Sequence, residues 1–279
     1  MAIIGFWSGS DKPTGQTLSA AALATYMAVE HNYRILLVDA TFNDDTLGRC
    51  FWKMSDKLST AQKLNRGKMD ISSGAEGLVS AVASNKATPE IITNFTRVVF
   101  KNRLDVLTGL KTVIPEEFTK SLMLYKDLVK TADKYYDLVF VDLEKTLKKE
   151  TTKVLLENSH VIVYTFSQNL KQANTYISDM ANHSDILKAD KVIPLLCNAD
   201  EDSKYNVKNY ARYIHERDLD QILHNTQFME AACEAGITNI FLKTKLSSNS
   251  NDKNSLFVKS ISEMAKSIDY RLEELKYKV

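Results

Sequence analysis

The sequence predicts a doubly wound α/β fold, a mostly parallel sheet with helices on both faces. Two observations carry this expectation. Short apolar runs rich in Val, Ile and Leu occur at Ile3–Ser8, Arg34–Asp39, Leu104–Leu107, Leu138–Asp142, Val161–Phe166 and Val192–Cys197. They are continuous rather than alternating, as strands covered on both faces are. Helical segments lie between them, and alternation of strand and helix implies right-handed crossovers onto a parallel sheet. Thr17–Glu30 is Ala-rich, which favours helix and lets a helix approach a sheet closely. Glu117–Tyr135 and Gln168–Asn182 also carry helical periodicity, and no internal repeat is present.

Composition agrees with a globular chain and excludes several classes. The 279 residues are 44% hydrophobic and 25% charged, which excludes a disordered chain. Nine Gly and four Pro exclude a collagen-like or linker-dominated architecture. The balance of 36 basic against 35 acidic residues excludes a globally basic nucleic-acid coat. The apolar run Ala2–Trp7 is too short for a signal-peptide core and has no basic residue before it. No stretch reaches the ~18 apolar residues needed to span a bilayer. Cys50, Cys197 and Cys233 lie far apart, offer no metal spacing and read as small buried hydrophobes in a reducing cytoplasm. His31, His160, His183, His215 and His224 are scattered and read as structural.

The whole chain, 1–279, is expected to form one domain. Lys53–Lys68 holds five basic residues and one acidic residue and reads as a solvated loop. It lacks interleaved aromatics, so a DNA contact is not indicated. Thr244–Asn254 is polar and low in complexity and is expected to be a flexible loop. After it, a C-terminal helix over 255–276 places Phe257, Ile261, Met264, Ile268 and Leu275 at helical spacing, to pack on the sheet. Glu263, Asp269, Glu273 and Glu274 argue against a membrane-seeking helix there.

Ligands of doubly wound sheets bind beyond the carboxyl ends of the strands. The first strand–loop–helix junction reads Ser8-Gly9-Ser10-Asp11-Lys12-Pro13-Thr14-Gly15-Gln16-Thr17-Leu18-Ser19. A buried strand, a short polar loop and a helix N-terminus match the layout of a phosphate-binding loop, because backbone N–H groups there favour an anion. The plain alternative is a helix start with Thr14 or Thr17 as N-cap.

This junction, with Arg34–Asp39 (RILLVD) and Tyr136–Asp142 (YDLVFVD), resembles the MinD/ParA family of P-loop ATPases. The family loop Lys-Gly-Gly-x-Gly-Lys-Thr-Thr falls on Asp11 through Leu18. Leu104–Leu107 resembles the family's third strand, and Leu195-Leu-Cys-Asn198 resembles the strand ending in the Asn that reads adenine. Glu230-Ala231 followed by Gly236 resembles a family pattern near the C-terminal end. The resemblance implies ATP or ADP with Mg²⁺ as ligand. It places Lys12, Gly15, Gln16, Thr17, Leu18 and Asn198 at the nucleotide, and Thr17, Asp39 and Asp142 at the metal.

The departures from the family pattern fall on charge. The loop lysine that pins the phosphates is Gln16, and the lysine that reaches a partner's nucleotide is Asp11. The two flexible glycines are Lys12 and Pro13, and the second acid after the second strand is Thr41, with Asp44 and Asp45 nearby. Leu143-Glu144-Lys145 stands where the family often has a Pro- or Gly-containing switch. The resemblance therefore implies a spatial-positioning or assembly protein of the plasmid-partition, division or pilus-localisation (TadZ and CpaE) type. It would be a cytoplasmic homodimer that recruits a protein partner, with weak or absent ATP binding and little hydrolysis. Two alternatives remain: a nucleotide-free interaction scaffold of the same fold, and a phosphoryl-transfer enzyme of the wider superfamily. A loop filled by its own side chains, such as Lys12 bridging to Asp142, would favour the scaffold.

Overall fold

The computed structural model describes residues 2–42, 44–53, 74–84, 88–112, 114–145, 150–246 and 252–276. The sheet has eight strands: β1 (Ala2–Trp7), β2 (Ile35–Ala40), β3 (Arg97–Phe100), β4 (Leu104–Leu107), β5 (Leu138–Leu143), β6 (Val161–Phe166), β7 (Val192–Ala199) and β8 (Asp220–Leu223). Their spatial order is β3-β4-β2-β5-β1-β6-β7-β8. Every pairing is parallel except β3 with β4. This is the mostly parallel, doubly wound architecture that the apolar runs predict, and all six runs become strands.

The helices are α1 (Gln16–Glu30), α2 (Thr46–Phe51), α3 (Gly74–Ala83), α4 (Pro115–Met123), α5 (Tyr125–Ala132), α6 (Glu150–Asn158), α7 (Leu170–Asn182), α8 (Val207–Ile214), α9 (Thr226–Cys233), α10 (Ile237–Leu246) and α11 (Lys253–Lys276). Strand residues alternate between two cores, because successive side chains leave opposite faces. On one face Ile4, Phe6, Leu37 and Phe140 pack with Ala20, Ala24, Phe241, Phe257 and Ile261. On the other, Trp7, Val38, Val141 and Tyr164 pack with Leu128, Leu156, Tyr176 and Tyr210. The expected C-terminal helix is present, with Phe257, Ile261, Met264 and Ile268 buried and Leu275 packed at the margin.

Three expectations are corrected. Glu117–Tyr135 is two helices, α4 and α5, meeting at Leu124. The loop expected over Thr244–Asn254 is shorter, because α10 runs to Leu246 and α11 begins at Lys253. The residues between, 247–251, lie outside the described residues, as does Lys53–Lys68 beyond Lys53. Cys50 and Cys197 are buried, but Cys233 is exposed on α9 rather than part of the core.

The docking of α1 sets the site. Its alanines Ala20, Ala21, Ala22 and Ala24 are fully buried. Its N-cap is Gly15, at φ 89° in the left-handed region. A Cβ there would stand 2.9 Å from Cys197 Cβ. Gly15 thus combines a backbone conformation that L side chains avoid with contact too close for any side chain. Gly15→Ala is expected to destabilise the chain by about 1–3 kcal/mol, read as a lower urea midpoint, whereas an unchanged midpoint would show that α1 can slide away from β7.

Candidate functional site

The loop between β1 and α1 is held by its own short bonds. Ser10 N–H donates to Ser8 Oγ and Lys12 N–H to Ser10 Oγ, at 3.2 and 3.1 Å. Gly9 N–H donates to Tyr164 Oη at 3.3 Å. Gln172 Nε2 on α7 donates to the Pro13 carbonyl at 3.4 Å. The Thr14 and Thr165 hydroxyls pair at 3.2 Å, so Thr14 is buried in the wall and caps nothing. No side chain caps α1, which overturns the alternative of a threonine N-cap. The first-turn N–H groups of a helix have no intrahelical acceptor. Those of Gln16, Thr17 and Leu18 therefore face the loop at the positive end of a 15-residue helix.

Beneath this helix end lie two buried carboxylates. Parallel register places Asp39 on β2 directly beside Asp142 on β5. Asp142 is fully buried and Asp39 is 2% exposed. Thr41 donates to Asp39 Oδ1 through its N–H at 3.0 Å and its hydroxyl at 2.6 Å. Gly109 gives Asp39 its room, because a Cβ there would stand 3.0 Å from the carboxyl carbon. Burial, then the neighbouring Asp142, pushes the Asp39 pKa up to about 7, against the pull of the Thr41 bonds. Burial raises Asp142 to about 6, opposed by hydrogen bonding from Thr17 and Gln16 and by the Lys145 charge.

Gln16 occupies the centre of this arrangement. Its Nε2 donates to Asp142 Oδ1 and to the Leu143 carbonyl, each at 2.7 Å. The side chain is folded inward and is 4% exposed. An amide that donates to the carboxylate holds a place where a cation would otherwise answer the charge. Two buried acceptors, Asp142 Oδ2 and Gln16 Oε1, have no hydrogen-bond partner among the described residues. These oxygens and the neighbouring Thr17 hydroxyl have the donor chemistry of a hard divalent cation. No group of three or more His, Cys, Asp or Glu with metal-binding geometry is present among the described residues.

A cavity of about 270 Å³ opens beside the loop, with Thr14, Gly15, Leu18, Asn198, Leu223 and Met229 in its wall. A second groove, of about 600 Å³, is lined by Asp200, Asp202, His224, Thr226 and Asp252 among others. Asn198 stands at the end of β7 with φ 53°, unusual for a residue other than glycine. Its Oδ1 lies 2.8 Å from His224 Nδ1.

The structure thus sorts the predicted residues into two groups and leaves one aside. Gly15, Leu18 and Asn198 share the cavity, while Gln16, Thr17, Asp39 and Asp142 share the buried polar centre. Lys12 is exposed and lines neither pocket. The bond to Asp142 that a self-filled loop would make comes from Gln16, not from Lys12. Asp44 and Asp45 are engaged locally: Asp44 accepts from Thr46, and Asp45 pairs with Arg49 at 2.7 Å. Sequence reasoning missed Lys145 as a nearby cation and Glu144, which accepts from Phe42 N–H at 2.7 Å. It also set aside His224, whose partner Asn198 lies 26 residues away, with no local spacing to reveal it.

An eight-stranded, mostly parallel sheet with helices on both faces is also the fold of solved ParA and MinD ATPases, which superpose on nearly the whole of this chain. A ParA family ATPase from Chlorobium tepidum TLS superposes with a TM-score of 0.68 at 17% identity, covering 97% of this chain and 98% of that one. The septum site-determining protein MinD of Pyrococcus horikoshii OT3, complexed with Mg-ADP, gives 0.67 at 14%, covering 97% and 98%. A chain of the MinC:MinD cell division protein complex of Aquifex aeolicus gives 0.62 at 12%, covering 96% of each chain. No family model matches the sequence. No curated protein matches it either.

Two substitutions test the buried centre. Gln16→Ala leaves Asp142 without its amide and should cost about 1–3 kcal/mol in urea unfolding. Asp39 and Asp142 both hold their proton more tightly in the folded chain than in the unfolded one, where an aspartate titrates near ~3.9. Their contribution is therefore complete below about pH 4 and is lost as pH rises through about 6 for Asp142 and about 7 for Asp39. Asp39→Asn should thus raise the melting temperature, with a gain that grows from pH 5 to pH 8. A gain independent of pH would mean that Asp39 titrates as an ordinary surface acid.

Proposed function

We propose that this chain is a ParA/MinD-like positioning protein that binds a nucleoside triphosphate weakly and turns it over little. It would act by dimerising and recruiting a protein partner of a partition, division or pilus-assembly machine. The observation that carries this reading is the Gln16 amide on Asp142. At the loop position that resembles the family's phosphate-pinning lysine, a neutral side chain turns inward. The features that favour binding are the open N–H groups of Gln16, Thr17 and Leu18 and the cavity beside them.

In this reading the triphosphate lies against the α1 N-terminus, and its ring enters the cavity lined by Leu18, Leu223 and Asn198. Mg²⁺, when bound, neutralises phosphate charge. Thr17 and Asp142 Oδ2 would hold it, with Asp39 behind them. Gly15 admits the phosphates close to the backbone. Little turnover follows from charge. Phosphoryl transfer depends on cations placed where negative charge develops, and Asp11 and Gln16 stand where the resemblance has lysines. A second reading, a nucleotide-free scaffold, is favoured by the same inward Gln16, since the loop's polar centre is already partly answered from within. The pairing of the Aquifex MinD with MinC supports a protein partner for either reading. No helix among the described residues is long and apolar enough to cross a membrane.

Calorimetry with ATP and Mg²⁺ tests the reading directly. Binding with a Kd on the order of 0.1–1 mM that weakens in Thr17→Ala is expected, together with phosphate release near the buffer blank. Heats that are absent, or equal in the two proteins, would leave the scaffold standing. Rapid phosphate release would restore the enzyme reading. Solution mass measured with and without ATP is expected to show a dimer favoured by the nucleotide.

A further inference from the structure

The chain from the end of β7 through α8 carries two opposite charges side by side. Asp200, Glu201 and Asp202 come first, then Lys204, Lys208 and Arg212, with no acid from Ser203 to His215. All six side chains are exposed. Close as they are in sequence, none of the six makes an ion pair among the described residues. Lys204 Nζ lies over the Tyr205 ring, 4.8 Å from its centroid, rather than on a carboxylate. Lys208 and Arg212 stand one turn apart on α8, where i and i+4 residues are neighbours.

Hydrogen bonds hold the two sets apart. Gln168 clamps the acidic turn: its Nε2 donates to the carbonyls of Asp200 and Tyr205, at 2.8 and 3.1 Å, and its Oε1 accepts from Asp200 N–H at 2.9 Å. Asn206 caps α8 by accepting from Asn209 N–H at 3.2 Å, and Asn209 Nδ2 donates to the Lys204 carbonyl at 2.8 Å. Tyr210 Oη, 2.9 and 3.0 Å from the Ser167 and Asn169 carbonyl oxygens, seats α8 against the start of α7. Both charges therefore sit on a pre-formed surface, and docking orders little that is not already fixed. The acids also edge the 600 Å³ groove, whose wall includes Leu223 and the half-exposed Leu256.

A charged run set beside its opposite is complementary to itself about a two-fold axis: the acids of one copy meet the cations of the other, and the reverse. A net charge of +1 raises no appreciable repulsion between copies. A nucleic-acid duplex fits less well, because one laid along α8 runs into the three acids beyond its start.

We propose that α8 and the acidic turn before it form an interface between two copies of this chain, with Lys208 and Arg212 of each seated against Glu201 and Asp202 of the other. This rests on the dimer of the proposed function and names its contact. The charges set register and encounter, while Leu223, Leu256 and the exposed Tyr213 supply apolar area that surface ion pairs alone do not.

The test is sedimentation of the full chain over a range of concentrations, at about 50 and about 500 mM salt, with and without ATP and Mg²⁺. Beside the wild type run Lys208→Glu with Arg212→Glu, Glu201→Lys with Asp202→Lys, and an equimolar mixture of these two variants. The wild type should self-associate, about tenfold more weakly at the higher salt. Each variant alone sets like charge against like in both halves of the contact and should lose association by about tenfold or more. The mixture should recover the wild-type affinity, because acid again meets cation in both halves, whereas mixing cures no folding defect. Equal association in all four samples overturns the proposal and leaves a dimer held by another surface, with the proposed function intact. A chain that stays monomeric in every condition overturns this interface and the proposed dimer together. Binding of a short DNA duplex by a monomeric wild type, lost in Lys208→Glu with Arg212→Glu, gives the face to nucleic acid and overturns it as well.

Discussion

The centre of this fold is a charge problem. Parallel pairing of β2 with β5 sets two carboxylates, Asp39 and Asp142, side by side under the N-terminus of α1, with almost no access to water. Two buried anions at that separation are costly unless a proton, a cation or hydrogen-bond donors answer them. The chain supplies donors: two from Thr41 to Asp39, and the Gln16 amide with Thr17 to Asp142. The raised pKa of both groups shows that these donors answer the charge only in part. The inward direction of Gln16 and the room left at Gly109 both serve this pair.

The central architecture was legible because its cause is local. A strand buried on both faces must be apolar at nearly every position, and the six such runs are the six inner strands. The two strands not foreseen, β3 and β8, are the edges of the sheet. Arg97 and Val98 on β3 are exposed, and Asp220 and Gln221 on β8 are only half-buried. An edge strand needs fewer apolar residues, so it leaves a weaker trace. The split of α4 from α5 was hidden for the opposite reason, since Leu122, Tyr125 and Leu128 keep a continuous buried stripe through the break.

The site was legible in its residues but not in its contacts. Position in the loop singles out Gly15, Gln16 and Thr17, and the ends of β2 and β5 single out Asp39 and Asp142. Whether Gln16 reaches outward to a ligand or inward to a carboxylate depends on a partner 126 residues away. Asp39 and Asp142 are neighbours only because β5 enters the sheet between β2 and β1. The Asn198–His224 contact likewise exists because β7 and β8 end together, where their register shifts between Leu196 and Ala199.

Charge at the carboxyl ends of the strands bears on how any phosphate ligand is held. The net charge of +1 conceals an acidic rim: Asp11 after β1, Asp44 and Asp45 after β2, Glu144 after β5, and Asp200, Glu201 and Asp202 after β7. Lys12, Lys111, Lys145, Lys148, Lys149 and Lys204 follow the same strands in sequence and offset much of it, and Arg49 is committed to Asp45. A polyphosphate approaching this mixed rim meets both signs of charge, each screened by salt beyond a Debye length of about 8 Å. The backbone N–H groups at the α1 N-terminus attract it over a shorter range, within the first helical turn. If the proposed ligand binds here, it gains most from positive charge that arrives with the ligand or with a partner. Under the proposed reading, the α1 N-terminus is the cradle, and the cation that completes it arrives with the ligand.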